Sequence, residues 1–163
     1  MSRTKKLVLT AILAAAALCV YVLEAQIPAP IPVPGVKLGL ANVITLMAMV
    51  LLNRKLAGGV LVVRLLLGSM LSGGLAALLY SAAGGVLAYA VMAALVGRLP
   101  VWTVSALAAI AHNLGQLVTA VLVTGTPGLF WYGPALLLAA ILTGVFTGLA
   151  AQYLARALQG RLR

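Results

Sequence analysis

The chain has 163 residues, of which 64% are hydrophobic and 7% charged, and its formal net charge is +10. About a quarter of the residues of a soluble domain are charged, so this composition excludes a soluble protein and predicts an integral membrane protein of about six helices. The basic residues stand singly at segment ends without interleaved aromatic residues, which argues against nucleic-acid binding.

The first two predicted spans flank a proline-rich connection. Basic residues precede an apolar run that predicts a first helix at 5–24. No small-x-small site closes this run, so we interpret it as a retained helix rather than a cleaved signal peptide. Alternating prolines from Pro28 to Pro34 predict an extended polyproline II segment, either a lid hinged at Gly35 or a stiff connector. The second helix is predicted at 37–52.

Four further spans follow, with a weak point between the third and the fourth. Apolar runs and their breakers predict helices at 56–79, 82–97, 101–123 and 133–157. Four glycines, Gly73, Gly74, Gly84 and Gly85, surround the segment 71–86. We therefore expect one helix to break or re-enter the membrane there.

The basic residues set the predicted orientation. With the N terminus in the cytoplasm, nine of the eleven fall on the cytoplasmic side, as the positive-inside rule predicts for an even number of spans. We therefore predict an all-α, polytopic bundle that forms a single integral membrane domain, residues 1–163. It would lie in the lipid bilayer of the cell (cytoplasmic) membrane with both termini cytoplasmic. Gly144 and Gly148 form a G-x-x-x-G motif, which predicts close helix packing.

Polar residues inside the predicted bilayer or at its outer edge form a candidate substrate-binding site. Arg64 lies so deep that it would cost at least about 2.5–3.5 kcal/mol unless it faced a partner or a wet cavity. Glu24 is the only acidic residue in the chain. His112 and Gln116 are four residues apart and share a helix face. The candidate set is Glu24, Lys37, Asn42, Arg64, His112, Asn113 and Gln116.

Each of these residues also has a structural interpretation. Arg64 can pair with Glu24 or cap the carbonyls of a broken helix. Asn113 and Gln116 can hydrogen-bond between helices, and the lone histidine can be a satisfied core residue. Lys37 can anchor the chain at the membrane interface. As a set, two bases against one acid favour an anionic or amphipathic ligand, such as a phosphate, diphosphate or carboxylate on an apolar body.

The chain lacks the residues of most catalytic sites. It has no aspartate and only one glutamate, one histidine and one cysteine, which excludes a Ser-His-Asp set and a multi-carboxylate or His/Cys metal centre. It also has no G-x-x-x-x-G-K phosphate loop. We therefore expect no enzyme activity, no metal and no cofactor. Active transport would need separate ATPases.

Three stretches carry a resemblance to a known family: PGVKLGLAN at 34–42, RLLLG at 64–68 and AHNLGQ at 111–116. They are similar to the Gx transporter family, also labelled heptaprenyl diphosphate synthase component I, and distantly to the S components of energy-coupling factor (ECF) transporters. The resemblance implies a six-helix, S-component-like fold whose outer pocket is closed by the first outer loop. It also implies docking on a coupling protein and two ATPases through an A-x-x-x-A motif, which Ala11 and Ala15 match.

Two functions follow from these observations. The first is a membrane substrate-binding protein for uptake of a small anionic or amphipathic solute, driven by separate coupling and ATPase subunits. Arg64 and Lys37 would meet the negative group, while Asn42, Asn113 and Gln116 would fix its orientation. The alternative is a non-catalytic accessory subunit in prenyl diphosphate or quinone metabolism, or in a membrane electron-transfer system.

Overall fold

The computed structural model describes residues 1–27, 36–72 and 74–162, which form six α-helices and one 3₁₀ helix. The α-helices are α1 (Arg3–Gln26), α2 (Asn42–Leu51), α3 (Arg54–Ser72), α4 (Gly74–Leu95), α5 (Val101–Thr124) and α6 (Gly133–Leu162). The 3₁₀ helix, Pro127–Tyr132, joins α5 to α6. Every α-helix except α2 is long and apolar enough to cross a membrane. The predicted all-α membrane bundle is therefore confirmed, and the chain is a multi-pass membrane protein.

The second helix is shorter than its predicted range of 37–52. It begins at Asn42 and has 10 residues, which at about 1.5 Å per residue is half the thickness of the hydrocarbon core. Gly39 has a φ of 77°, in the left-handed region, and this conformation ends helical structure before α2. We call the non-helical residues 36–41 the entry segment. The proline-rich connection at 28–35 lies outside the described residues, so its polyproline conformation stays a prediction.

The boundary between the third and fourth helices also differs from the prediction. The ranges 56–79 and 82–97 are wrong, because α3 ends at Ser72 and α4 begins at Gly74. Gly74 has a φ of 64°, which a glycine adopts without steric cost. Gly84 and Gly85 instead lie within an unbroken α4. A Cβ on Gly85 would lie 3.1 Å from Arg64 Nη2, so glycine serves close packing there.

The last two helices pack through the predicted G-x-x-x-G motif. A Cβ on Gly144 would lie 2.7 Å from Ala106 Cα, and one on Gly148 would lie 2.6 Å from Trp102 Cα. Side chains larger than hydrogen would push the α5 and α6 backbones apart. The motif therefore has the structural role that its spacing predicts.

Two apolar clusters of the core are separated by a polar layer. One cluster includes Leu13, Leu46, Met49, Val60, Met92 and Val104. The other includes Val36, Tyr80, Leu117, Ala120 and Leu136. Along α4 and α5 the buried polar residues Ser81, His112 and Gln116 lie between the two clusters. Glu24 on α1 and Arg64 on α3 are also buried polar residues, and each follows the residues that its helix gives to the first cluster.

One end of the bundle collects basic residues. Arg98, in the α4–α5 turn, and Arg156, near the end of α6, line the same groove. The Tyr89 hydroxyl of α4 donates to the Arg54 carbonyl at 2.8 Å, which places the start of α3 at this end as well. We call it the basic end. The 3₁₀ helix Pro127–Tyr132 follows α5 at the opposite end.

Candidate functional site

A small polar cavity lies in the buried layer between the two apolar clusters. Its volume is about 10 Å³, roughly enough for one water molecule. Five of the predicted site residues line it, from α1, the entry segment, α3 and α5: Glu24, Lys37, Arg64, His112 and Gln116. Tyr21, Gly39 and Ser81 complete the wall.

Glu24 ties α1 to the entry segment. Its Oε1 accepts the N–H of Gly39 at 2.5 Å, and its Oε2 accepts the N–H of Leu40 at 3.0 Å. These N–H groups precede α2 and have no carbonyl partner within that helix, so the carboxylate satisfies them. A negative charge is also favourable near the start of a helix. Glu24 therefore holds the irregular backbone that leads into α2.

Gln116 ties the entry segment to α5, and Lys37 points back into the bundle. Gln116 Oε1 accepts the backbone N–H of Lys37 at 3.0 Å. The ammonium of Lys37 lies 4.0 Å from the centroid of the Tyr21 ring, a cation–π contact. The Tyr21 hydroxyl is 2.8 Å from Ser81 Oγ, which fixes the ring. Since the Lys37 Nζ atom is buried, the side chain faces the cavity rather than the membrane surface.

Arg64 is 2% exposed and reaches the same layer from α3. Its Nη1 donates to Asn42 Oδ1 at 3.0 Å. The hydrogen bond thus goes to an amide at the start of α2, and the oxygens of Glu24 accept backbone N–H groups instead. The guanidinium carbon is 6.0 Å from the centroid of the Tyr21 ring. Two cationic side chains and one carboxylate therefore share the layer.

His112 is wedged between two glycines. A Cβ on Gly39 would lie 2.6 Å from His112 Cδ2, and a Cβ on Gly84 would lie 2.7 Å from His112 Nδ1. The imidazole fits only because both positions lack a side chain. Glycine is thus required here by close packing against the histidine.

Asn113 faces another part of the bundle. Its Nδ2 donates to the Leu136 carbonyl of α6 at 3.0 Å, and the residue does not line the cavity. This contact fits the interhelical hydrogen-bonding role that the sequence left open. Asn42 does not line the cavity, but it accepts a hydrogen bond from Arg64, which does. The structure therefore brings six of the seven predicted residues together and sets Asn113 apart.

Buried nitrogen atoms around the cavity lack hydrogen-bond partners within the described protein. They are Lys37 Nζ, Asn42 Nδ2, Arg64 Nε, Gln116 Nε2 and both ring nitrogens of His112. Buried polar atoms in folded proteins are nearly always paired, and an unpaired one costs about 1–3 kcal/mol. The cavity wall thus has spare donors and one more positive than negative charge, which suits an anion rich in acceptor oxygens.

Comparison with protein families supports the sequence resemblance. The family model described as heptaprenyl diphosphate synthase component I matches residues 13–154. The chain belongs to this family. No curated protein and no solved structure was found to match it. The family identified from sequence is therefore confirmed, while the likeness of this component I family member to ECF S components stays a prediction.

Three residues of the cavity wall were not predicted from the sequence. Tyr21 lies three residues before Glu24, on the same face of α1, so helical spacing from the lone acid was a usable signal. Ser81 lies in a helix rich in small residues without a polar pattern. Gly39 was quoted within a family motif, but its positive φ depends on contacts from other helices.

The predicted docking motif lies on the outer surface of the bundle. Ala11 and Ala15 are exposed, whereas Leu13 and Ala17 of the same helix are buried in the core. This face of α1 is therefore accessible to another protein or to lipid. Docking of a coupling protein there stays a prediction.

The glycine beside His112 provides a direct test of the packing around the cavity. Gly84→Ala is expected to lower the free energy of unfolding by about 1–3 kcal/mol, because the new Cβ overlaps the His112 ring. Gly59→Ala, in α3, is the matched control, since among the described residues no atom outside its own stretch of helix lies within 4 Å of its Cβ position. Alanine should stabilise that helix by up to about 1 kcal/mol. Thermal unfolding in detergent measures both, and equal effects would contradict the wedged histidine.

Proposed function

We propose that this chain is the substrate-binding component of a membrane uptake system and binds the negative group of a small amphipathic solute. The observation that supports this is the cluster of buried, unpaired donors around one cavity, foremost Lys37 Nζ, Arg64 Nε and Gln116 Nε2. The charge excess and the donor chemistry favour a phosphate, diphosphate or carboxylate. The apolar clusters on either side suit an apolar body.

Binding requires the cavity to open, since its volume of about 10 Å³ is far too small for such a solute. The entry segment is the element that moves. Its backbone is held to neighbouring helices by Glu24 and Gln116, and three hydrogen bonds are readily exchanged for ligand contacts. Gly39 gives this backbone its conformational freedom. The observed arrangement is the closed state of the site.

Transport energy would come from other subunits, because the chain carries no phosphate-binding loop. The exposed Ala11–Ala15 face of α1 is the proposed docking surface for a coupling protein that links the bundle to ATPases. The protein would lie in the cytoplasmic membrane with both termini and the basic end inside. The solute site would then open to the outside.

We propose no catalytic role. Glu24 is the only side-chain carboxylate in the chain, and its two oxygens accept backbone N–H groups. Magnesium-dependent diphosphate chemistry gathers several carboxylates around the metal. The family description supports a second candidate function instead, since a "component I" implies a partner component. In that case the chain would be a membrane accessory subunit that holds a prenyl diphosphate for a separate synthase.

Mass spectrometry of small molecules that co-purify in mild detergent tests the binding proposal. Lys37→Gln removes a charge whose Nζ has no hydrogen-bond partner among the described residues, so the empty protein should stay folded. We expect one anionic species with the wild type and at least roughly tenfold less with the variant, because a charge-assisted hydrogen bond contributes about 1.5–3 kcal/mol. Lys55→Gln removes an exposed lysine and is the matched control.

The outcomes separate the candidate functions. Equal retention by wild type, Lys37→Gln and Lys55→Gln, or bulk lipid alone in all three, would refute the solute site. A stable complex with a soluble, aspartate-rich synthase would favour the accessory subunit. Solute uptake that survives deletion of the ATPases would contradict the ECF-type mechanism while leaving the binding site intact.

A further inference from the structure

A second, larger cavity opens at the basic end of the bundle. Its volume is about 850 Å³, within the usual range for small-molecule sites. The end of α2, the α4–α5 turn, the start of α5 and the end of α6 form its walls. We call it the basic groove. The apolar cluster around Met49 and Met92 separates it from the small polar cavity lined by Glu24 and Arg64, which we call the solute cavity. The two sites are therefore distinct.

Two arginines of the basic groove have no counter-charge from the chain's own side chains. Arg98 and Arg156 are both exposed and both line the groove. Glu24, the only side-chain carboxylate, is buried in the polar layer and bound to the entry segment. Guanidinium groups match phosphate oxygens in charge and in geometry. An external phosphate is therefore the natural counter-ion of this groove.

The rest of the groove has the character of a lipid contact. Met49 and Ala155 give it buried apolar walls, and Leu99 and Trp102 add apolar surface at its rim. Trp102 is 38% exposed, and tryptophan is enriched where a membrane protein meets the headgroup region. Basic pockets between transmembrane helices bind anionic headgroups. A free phosphate would use the arginines but would leave the apolar wall uncovered.

We propose that the basic groove binds an anionic phospholipid. Its phosphate lies between Arg98 and Arg156, and the upper part of an acyl chain covers Met49 and Val50. The site needs neither the solute cavity nor the proposed uptake function. It would anchor the ends of α2, α4 and α6 to one leaflet.

Trp102 provides a built-in reporter. The chain has two tryptophans, and Trp131, in the 3₁₀ helix at the opposite end, is 89% exposed. Trp131→Phe leaves Trp102 as the only tryptophan, so its emission is followed with excitation selective for tryptophan. We would reconstitute this variant in phosphatidylcholine vesicles that contain brominated phosphatidylglycerol or, separately, brominated phosphatidylcholine. We expect brominated phosphatidylglycerol to quench Trp102 at a concentration roughly tenfold or more below that of brominated phosphatidylcholine, because the two arginines attract its negative charge.

Charge-matched variants in the Trp131→Phe background decide the assignment. Arg98→Gln with Arg156→Gln should abolish the preference, whereas Arg54→Gln with Lys55→Gln removes as much charge from the same end and should keep it. Equal loss in both pairs would mean diffuse attraction and would overturn the proposal. Soluble diphosphate is then added as a competitor of the brominated phosphatidylglycerol. If it prevents quenching of Trp102 at concentrations comparable to that of the lipid, the groove is a site for a free anion instead. Unfolding of the Arg98 and Arg156 variants is checked by circular dichroism, and conversion of both to lysine, which keeps charge, should preserve part of the preference.

Discussion

Glu24→Ala is expected to destabilise the folded protein by about 3–5 kcal/mol, one of the two largest effects that the structure implies. The substitution leaves the N–H groups of Gly39 and Leu40 without acceptors. It also leaves Lys37 and Arg64 in a buried layer without their only negative neighbour. Detergent-induced unfolding followed by circular dichroism measures the loss.

A double variant separates the charge from the hydrogen bonds. Glu24→Gln keeps one acceptor oxygen for the entry segment but removes the charge, so it should cost less than alanine. Combining Glu24→Gln with Arg64→Met lowers the buried positive charge to that of Lys37 alone and should recover part of the stability. Strictly additive effects would show that Glu24 and Arg64 do not interact. Cys19→Ala, at an exposed position of the same helix, should be neutral.

Helices bounded by local signals could be predicted from the sequence. Pro100 and Gly125 delimit an apolar run, and α5 occupies that run almost unchanged from the predicted 101–123. The start of α2 could not be predicted in this way. Gly39 is the only local signal in residues 37–41, and helices tolerate a single glycine. The backbone there departs from helix because Glu24 and Gln116, from distant parts of the chain, supply its hydrogen bonds.

Glycines have two structural roles that the sequence does not distinguish: they allow a helix to end, or they allow close packing within a helix. Gly74 and Gly84 both interrupt apolar runs, and both were expected near a break. Only Gly74 has a positive φ. Gly84 stays helical, because what it accommodates is the ring of His112 from another helix. Such a requirement exists only once the tertiary contacts are formed.

Several residues of the candidate site were predictable, because burying a polar side chain inside a membrane costs free energy and such residues therefore stand out in an apolar chain. That cost singled out Arg64 and Gln116, and helical spacing correctly put Gln116 on the face of His112. Asn113 is one residue after His112, which rotates it by about 100° around the helix axis. This direction agrees with its hydrogen bond to the Leu136 carbonyl of α6. The inward direction of Lys37 was not predictable, since it depends on how the entry segment folds over Tyr21.

Arg64→Met is expected to separate function from stability. Methionine has a similar length and no charge, and Glu24 keeps its two backbone N–H donors and its neighbour Lys37, so the substitution leaves no uncompensated buried charge. Asn42 Oδ1 loses its donor, at a cost of about 1–3 kcal/mol, while the desolvation cost of the guanidinium disappears. We therefore expect the free energy of unfolding to change by less than about 2 kcal/mol. Retention of the anionic solute should be lost.

Arg64→Lys is the informative companion, because it keeps the charge but lacks the planar donor geometry. If the proposed site binds an anion chiefly by charge, the lysine variant should retain part of the solute that Arg64→Met loses. Mass spectrometry of the co-purified molecules and thermal unfolding on the same samples give the two readouts together. A loss of stability of several kcal/mol in Arg64→Met, with solute retention intact, would make Arg64 a structural residue that braces α3 against α2. If Arg64→Met is instead as stable as the wild type but no longer retains the solute, the buried guanidinium of Arg64 serves binding of the solute rather than stability of the fold.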